Sequence, residues 1–308
     1  MNLLVEILSL WVKCLWLWLV AIFRAVVPVS LQPHKDISGW VVLVTGAGSG
    51  IGQLLALRFA GLGCRVVLWD IVEAANETTA KLVREAKPGA EVKAYTVDLA
   101  KRENVYKVAE QVKKDFGDVD ILINNAGIIS GDKLLDAPDE PIVKTMEVNT
   151  ISHFWTVKAF LPGMLTKNSG HVVTVSSSAG LFSTPGMADY CASKFSAVGF
   201  DECLRREIIK MKKTGVKTTV VCPTLIDTGM FEGFKYRFSF LIKTLEPAYV
   251  ADKIVDAVLT DQPMLILPKS MYTFLMLKGI LPVAVTDAMV EFTGILNCMD
   301  DYVGRKNK

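Results

Sequence analysis

Tyr190 and Lys194 stand one helical turn apart in Asp189-Tyr190-Cys191-Ala192-Ser193-Lys194, at the start of a helical pattern running to Thr214. Residues four apart share a helix face, so the ammonium comes near the phenol. An unperturbed tyrosine ionises near pH ~10, and a neighbouring cation favours its phenolate by about one to three units. Such a phenol can accept the proton of an alcohol or donate one to a carbonyl oxygen. Ser177 ends a predicted strand 13 residues before Tyr190, where its hydroxyl can orient the same oxygen. The choice of Ser177 over Ser176 and Ser178 rests on that offset. Taken singly, each residue has a plainer reading, as an ordinary helical face or a serine-rich turn.

A second constellation changes that balance. Thr45-Gly46-Ala47-Gly48-Ser49-Gly50-Ile51-Gly52 falls between the β-branched run Val41–Thr45 and a helical pattern from Ile51 to Leu62. Glycines at such a turn let a pyrophosphate approach backbone amides at a helix N-terminus. Their spacing is G-x-x-x-G-x-G rather than the commoner G-x-G-x-x-G. Asp70 ends the next predicted strand, 18 residues after Gly52. A carboxylate there accepts both ribose hydroxyls and repels a 2′-phosphate. No Arg or Lys follows Asp70 at once, so NAD is favoured, with NADP possible. The plainer reading of Asp70 is a cap for the helix that follows. Phenol, ammonium and glycine turn together predict hydride transfer between a nicotinamide cofactor and an alcohol carbon.

The elements that position these residues alternate strand and helix. Strand patterns cover Val41–Thr45, Arg65–Asp70, Glu91–Val97, Val119–Asn124, Gly170–Ser176, Lys217–Cys222 and Met264–Leu267. Helical patterns cover Ile51–Leu62, Val72–Ala86, Lys101–Phe116, Pro141–Met164, Tyr190–Thr214 and Pro247–Asp261. Apolar strands alternating with helices predict an α/β fold, a single doubly wound parallel sheet of Rossmann type. The predicted organisation is a hydrophobic anchor and linker over 1–38, a catalytic domain over 39–268 and an apolar helical extension over 269–308. A net charge of +2 with interleaved signs offers no nucleic-acid footprint. Six scattered cysteines, without CxxC or Cys/His clusters, predict no metal site and a reducing compartment. Asn76-Glu77-Thr78 matches a glycosylation sequon, a pattern short enough to recur by chance.

Leu3 to Phe23 is almost wholly apolar and reaches the roughly 20 residues that span a bilayer. Glu6, Lys13 and Arg24 fall on one helical stripe. A charge at the centre of a spanning helix costs about 3 kcal/mol, whereas a helix lying in the interface keeps all three wet. The segment therefore reads as an anchor, interfacial or hairpin-like in preference to a simple span. A cleaved signal fits poorly, because no A-x-A site follows and Lys13 interrupts the apolar run. Arg24, His34 and Lys35 on the downstream side place the catalytic domain in the cytosol if the helix spans. Phe231, Phe234, Tyr236, Phe238 and Phe240 follow the last predicted site loop as an apolar lid. Residues 271–299 read either as a second membrane-contacting element or as an ordinary C-terminal helix pair.

Thr45–Gly52, Asp98-Leu99, Asn124-Asn125-Ala126-Gly127, Asn149, Ser177 and Tyr190-x-x-x-Lys194, in this order, resemble the short-chain dehydrogenase/reductase superfamily from about Gly39 to Pro268. The resemblance implies a cofactor site formed by Gly46, Ser49, Gly50, Ile51, Gly52, Asp70, Asp98, Leu99, Asn125, Ala126, Gly127, Tyr190, Lys194, Pro223, Ile226 and Thr228. In it Asp98 meets the adenine amino group, and Asn124 to Gly127 support the central strand beside the adenosine ribose. Ile226 and Thr228 touch the nicotinamide carboxamide. It also implies catalysis by Ser177, Tyr190 and Lys194, with Ser177 on the substrate, and with Asn149 holding a water that links Lys194 to solvent. One departure stands out: Pro223-Thr224 replaces the family's usual Pro-Gly, and a β-branched residue resists φ > 0, so the nicotinamide loop is expected to differ in shape. Leu68-Trp69-Asp70, His153-Phe154-Trp155-Thr156 and Thr228-Gly229-Met230-Phe231 resemble a membrane-bound branch acting on retinoids, sterols and other lipids. That branch implies residence on endoplasmic reticulum or lipid droplets, a homodimer or related hetero-oligomer, and oxidation of a membrane-dissolved alcohol, all-trans-retinol first. A hydroxysteroid or other lipid-alcohol dehydrogenase, an NADPH-dependent retinaldehyde reductase and a dinucleotide-binding lipid-droplet scaffold are the alternatives.

Overall fold

The structure, a computed structural model, describes residues 3–235, 237 and 243–304. The chain divides into two units, Met1–Asp36 and Ile37–Lys308. In the first, α1 (Leu3–Val26) has no buried residue. Its end is set by Pro28, which cannot continue a helix. The Gln32 amide then donates to the carbonyls of Arg24 and Val27, at 2.9 and 3.0 Å.

The second unit runs β1 (Val41–Thr45), α2 (Gly50–Gly61), β2 (Arg65–Asp70), α3 (Glu73–Ala86), β3 (Val92–Thr96), α4 (Arg102–Phe116), β4 (Ile121–Asn124), α5 (Asp139–Met146), α6 (Ser152–Lys167), β5 (Gly170–Val175), α7 (Ala188–Lys210), β6 (Val216–Pro223), α8 (Pro247–Leu259), β7 (Met264–Leu267), α9 (Met271–Ile280) and α10 (Val283–Thr293). The strands form one sheet in the order β3-β2-β1-β4-β5-β6-β7, with every neighbouring pair parallel. A parallel sheet needs cover on both faces, and alternation along each strand supplies two cores. Val42 and Val44 of β1 pack with Leu55 and Phe59 of α2, Val83 of α3 and Ile254 of α8. Val41 and Leu43, pointing the other way, pack with Val112 of α4, Phe160 and Met164 of α6 and Leu204 of α7.

The strand order reverses between β1 and β4. In open α/β sheets that switch point opens a crevice beyond the carboxyl ends of the strands. The glycine turn after β1, Asn124-Gly127 after β4, Ser177 after β5 and Pro223 ending β6 all gather at this edge.

Three expectations change in detail, the first being that the helix read over Tyr190–Thr214 runs over Ala188–Lys210. The helix read over Pro141–Met164 begins at Asp139, ends at Lys167 and is interrupted by a π turn over Glu147–Ile151. Asn76 is buried, and its amide donates to the carbonyls of Leu68 and Tyr95, both at 3.1 Å. The sequon thus serves as a strut between β2 and β3.

Candidate active site

The glycine turn is shaped by what its residues cannot carry. Gly46 and Gly50 have φ of +64° and +56°, a region that L side chains rarely adopt. A Cβ on Gly46 would lie 2.9 Å from Ala126 Cα, and one on Gly52 would lie 2.1 Å from the Gly46 oxygen. Turn and helix therefore pack backbone to backbone, leaving amides at the N-terminus of α2 for an anion. Thr45 Oγ1 accepts from the amides of Asn125 and Ala126 at 2.9 and 3.1 Å. Asn125 Nδ2 donates back to the Thr45 carbonyl at 2.9 Å. Asn125 is thus a brace between the loops after β1 and β4, with its side chain already engaged. Thr45 does equal work, and its place before the first glycine is the signal that could have found it.

Asp70 Oδ2 accepts from the Gly48 amide at 2.8 Å, and Oδ1 from the Val72 amide at 2.9 Å. Asp70 therefore braces the glycine turn and the bend ahead of α3, whose N-cap residue is Val72 and makes no side-chain cap. Asp98 accepts from the Ala100 amide at 3.1 Å, and Leu99 is buried beside it. Thr228 lies over the turn, its Cγ2 3.4 Å from where a Gly50 Cβ would stand. Ile226 bridges to Leu245.

Thr224 adopts no left-handed φ. The change of loop shape expected from Pro223-Thr224 thus does not arise through backbone strain. Thr224 N donates to Leu267 O at 2.9 Å, and its buried hydroxyl has no protein partner.

The chemical residues converge on α7. Tyr190 and Lys194 are both buried, with the ammonium 5.5 Å from the centre of the phenol ring. Ser177 Oγ accepts from the Ala179 amide at 3.1 Å and lies 3.4 Å from the Pro223 carbonyl. Ser176 turns away to donate to the Lys194 carbonyl at 2.9 Å, whereas Ser177 lines the same cavity as Tyr190. Asn149 sits in the π turn. Its amide donates to Ile128 O at 2.8 Å and to Ser193 Oγ at 3.0 Å, and its oxygen accepts from Ile128 N at 2.8 Å. Lys194 Nζ and Asn149 Oδ1 both approach Gly127, at 3.4 and 3.5 Å from where its Cβ would stand.

The electrostatics differ from the sequence reading. Lys194 donates to the Val175 carbonyl at 3.0 Å, and burial lowers its pKa from 10.5 to about 8. Burial pushes the Tyr190 phenol up, against a smaller downward pull from Ser177. In this arrangement desolvation, which penalises both charged forms, outweighs the acidification expected from Lys194. Burial likewise raises the Cys191 thiol, which is packed rather than poised as a nucleophile.

Tyr190, Ser177 and Ser178 open onto a cavity of about 310 Å³. Its walls are largely apolar and include Phe182, Phe231, Phe274, Leu277 and Val290. Phe231 of the expected lid stacks edge-on against Tyr190, ring centres 5.6 Å apart, and Phe234 follows at 6.3 Å from Phe231. Tyr236, Phe238 and Phe240 lie outside the described residues. The walls supplied by α9 and α10 were not assigned to the site from sequence, because an apolar segment far along the chain carries no mark of what it faces.

A dinucleotide cradle, a buried phenol–ammonium pair and an apolar cavity define an oxidoreductase of the Rossmann type. A family model described as short chain dehydrogenase matches residues 40–236, and the chain belongs to that family. It is 49% identical to epidermal retinol dehydrogenase 2 of Homo sapiens, over 96% of this chain and 94% of that one. It is 45% identical to retinol dehydrogenase 10 of Homo sapiens, over 100% and 97%. A short chain dehydrogenase/reductase from Burkholderia phymatum, solved in complex with NAD, superposes with a TM-score of 0.72 at 27% identity, covering 83% of this chain and 96% of that one. A metagenomic short-chain oxidoreductase in complex with NADP gives 0.64 at 26% identity, covering 76% and 98%. The protein is an NAD(P)-dependent oxidoreductase acting on CH–OH groups.

Proposed function

We propose that the protein oxidises a lipophilic alcohol, all-trans-retinol first, to its carbonyl with NAD. The observation that carries this reading is the apolar cavity ending on Ser177 and Tyr190; the relatives named for retinol support it. The cradle fits a dinucleotide: amides at the start of α2 would meet its pyrophosphate, and Asp70 beside the turn would repel a 2′-phosphate. Gly46, Ser49, Gly50, Ile51 and Gly52 would hold the pyrophosphate. Asp98, Leu99, Asn125, Ala126 and Gly127 would border the adenosine, while Pro223, Ile226 and Thr228 would border the nicotinamide. When bound, NAD supplies the hydride acceptor.

This chain's own residues manage the oxygen and its proton. Ser177 donates a hydrogen bond to the alcohol oxygen and orients it. Tyr190 takes the proton at its phenolic oxygen, and Lys194 stabilises the phenolate whenever it holds its ammonium. Asn149, fixed by Ile128 and Ser193, is placed to hold a water beside Lys194. Phe231 and the apolar walls exclude bulk water. The oily substrate reaches the cavity from a membrane, at the endoplasmic reticulum or a lipid droplet, with the catalytic unit on the cytosolic side. Arg24 in the last turn of α1, with His34 and Lys35 beyond it, supports that orientation.

The test assays membranes carrying the protein with retinol and hydroxysteroids, each with NAD and NADP. Retinaldehyde formed with NAD is the expected product. A steroid product without any from retinol moves the substrate to the sterol class, and faster NADPH-dependent reduction of retinaldehyde reverses the direction. Tyr190→Phe should abolish product formation while NADH binding persists. A cellular effect that survives this substitution would point to a scaffold.

A further inference from the structure

We propose that Tyr302, within the segment Cys298–Gly304, is a positioning residue that holds Phe231 against Tyr190 and thereby sets the affinity for the alcohol. This rests on the reading of Tyr190 as the proton acceptor.

The segment lies far in sequence from every motif above, yet it ties together three loops around the phenol. Tyr302 Oη donates to the Met230 carbonyl at 3.2 Å, one residue before Phe231. Val303 N donates to Glu232 O at 2.9 Å, and Lys235 N donates to Cys298 O at 3.1 Å. The stretch Met230–Lys235 is therefore pinned on both sides of its aromatic pair. A second loop, after β4, is joined by the Tyr302 ring at Gly131 and by Lys133, whose ammonium is 3.3 Å from Asp300. The third loop leads into α7, where Met299 packs at Gly186. Cys298 and Met299 complete the apolar cluster that contains Tyr190, with Phe231 and Tyr302 against it.

Two glycines mark this as a fitted seat. A Cβ on Gly131 would stand 1.9 Å from the Tyr302 ring, and one on Gly233 would stand 2.0 Å from the Asp301 carbonyl. Both have left-handed φ, +79° and +92°. The chain gives up side chains at two loop positions so that the Tyr302 ring can lie on one loop backbone and the Asp301 carbonyl on the other.

The links are largely single hydrogen bonds and exposed ion pairs, such as Lys235–Asp301 at 2.7 Å. Exposed pairs add little to global stability. What they fix is where the Phe231 ring stands, and that ring forms both the wall of the cavity and the edge contact to Tyr190. A misplaced wall weakens alcohol binding, while the cradle on β1, α2 and β4 is untouched.

The experiment compares wild type, Tyr302→Phe and Tyr302→Ala as full-length protein in membranes, with retinol as the alcohol. Tyr302→Ala should raise KM for the alcohol about tenfold with kcat changed less than about threefold, the scale of one lost ring contact and hydrogen bond. NADH affinity, read by fluorescence, should stay within about twofold of wild type, since uniform loss of substrate binding moves KM alone. Tyr302→Phe keeps the ring on Gly131 and should recover most of the lost affinity. An unchanged alcohol KM in Tyr302→Ala, or equal losses of alcohol and NADH affinity, would overturn the proposal. If Tyr302→Ala does not fold, Lys235→Glu serves in its place. It should raise the alcohol KM about twofold to threefold, and adding Asp301→Lys should restore it, as for a pair of exposed partners; no rise, or no rescue, overturns the proposal equally. Activity retained by Tyr190→Phe would instead strike the proton-acceptor reading on which this one rests.

Discussion

At the scale of single residues, spacing and environment carry different information. The turn between Tyr190 and Lys194 was legible because helical geometry alone brings i and i+4 together. The state of the pair was not legible, because it depends on the carbonyl of Val175 and on burial by residues distant in sequence. Lys194 has a native pKa of about 8 against 10.5 for the unperturbed group. The unfolded chain therefore binds more protons between those values, so this group's destabilising contribution is complete below pH 8 and fades as pH rises to 10.5. Lys194→Met removes that contribution. At pH 7 the relief is on the order of 3 kcal/mol, reduced by about 1 kcal/mol for the Val175 carbonyl left without its donor. The variant should be inactive yet should unfold at a higher temperature than wild type at pH 7, with the gain shrinking towards pH 10. Thermal unfolding of detergent-solubilised, cofactor-free protein at the two pH values measures it. A lower midpoint at both would mean that the buried ammonium stabilises the fold after all.

At the scale of elements, the seven strands were legible to within a residue or two because most are short apolar or β-branched runs set between helical patterns. The helix over 139–167 shows what such patterns omit. Its π turn places Asn149 so that one amide satisfies both backbone groups of Ile128. No residue in Glu147-Val148-Asn149-Thr150-Ile151 announces that widening; the demand comes from the loop after β4. The helices α9 and α10 were legible as apolar helices but not as walls of the cavity. Lys278 explains how α9 keeps its place there. Its ammonium donates to the Leu181 carbonyl and lies 5.4 and 5.1 Å from the ring centres of Phe182 and Phe195. A charged donor to a carbonyl contributes about 1.5–3 kcal/mol, less where water reaches it. Lys278→Met keeps the apolar stem and loses the tie, so α9 should loosen from the loop that follows Ser177. The expected outcome is an alcohol KM raised about threefold to tenfold, with the KM for NAD unchanged. Steady-state kinetics with each substrate varied in turn decides it, and an unchanged alcohol KM would remove Lys278 from the substrate site.

At the scale of the molecule, both units present apolar surface that water covers at a cost. Every described residue of α1 is at least partly exposed, with Trp11, Trp16 and Trp18 each more than 60% accessible. Burying one such large side chain is worth about 1.5–3 kcal/mol, so a 24-residue helix of this composition requires an apolar environment. It is long and apolar enough to cross a membrane. In the catalytic unit, Met276, Ile280, Val283 and Phe292 of the α9–α10 region are between 57% and 74% exposed, an apolar grouping of the kind that marks an interaction site. If the bilayer covers that face as well as α1, the two attachments should separate by strength. Full-length protein should remain in the membrane pellet after alkaline carbonate extraction if α1 is buried in the bilayer as a hairpin-like or spanning anchor. It should be released if α1 lies only in the interface. Removal of residues 1–27 should leave a protein that still sediments with membranes at neutral pH and is released by carbonate. Ile280→Glu with Phe292→Glu in the shortened chain should then abolish sedimentation, because charge on an interfacial face opposes burial among lipid tails. A shortened chain that is fully soluble at neutral pH would confine membrane attachment to α1. The exposed apolar face of α9 and α10 would then meet water or another protein, and the alcohol would have to be delivered by a carrier.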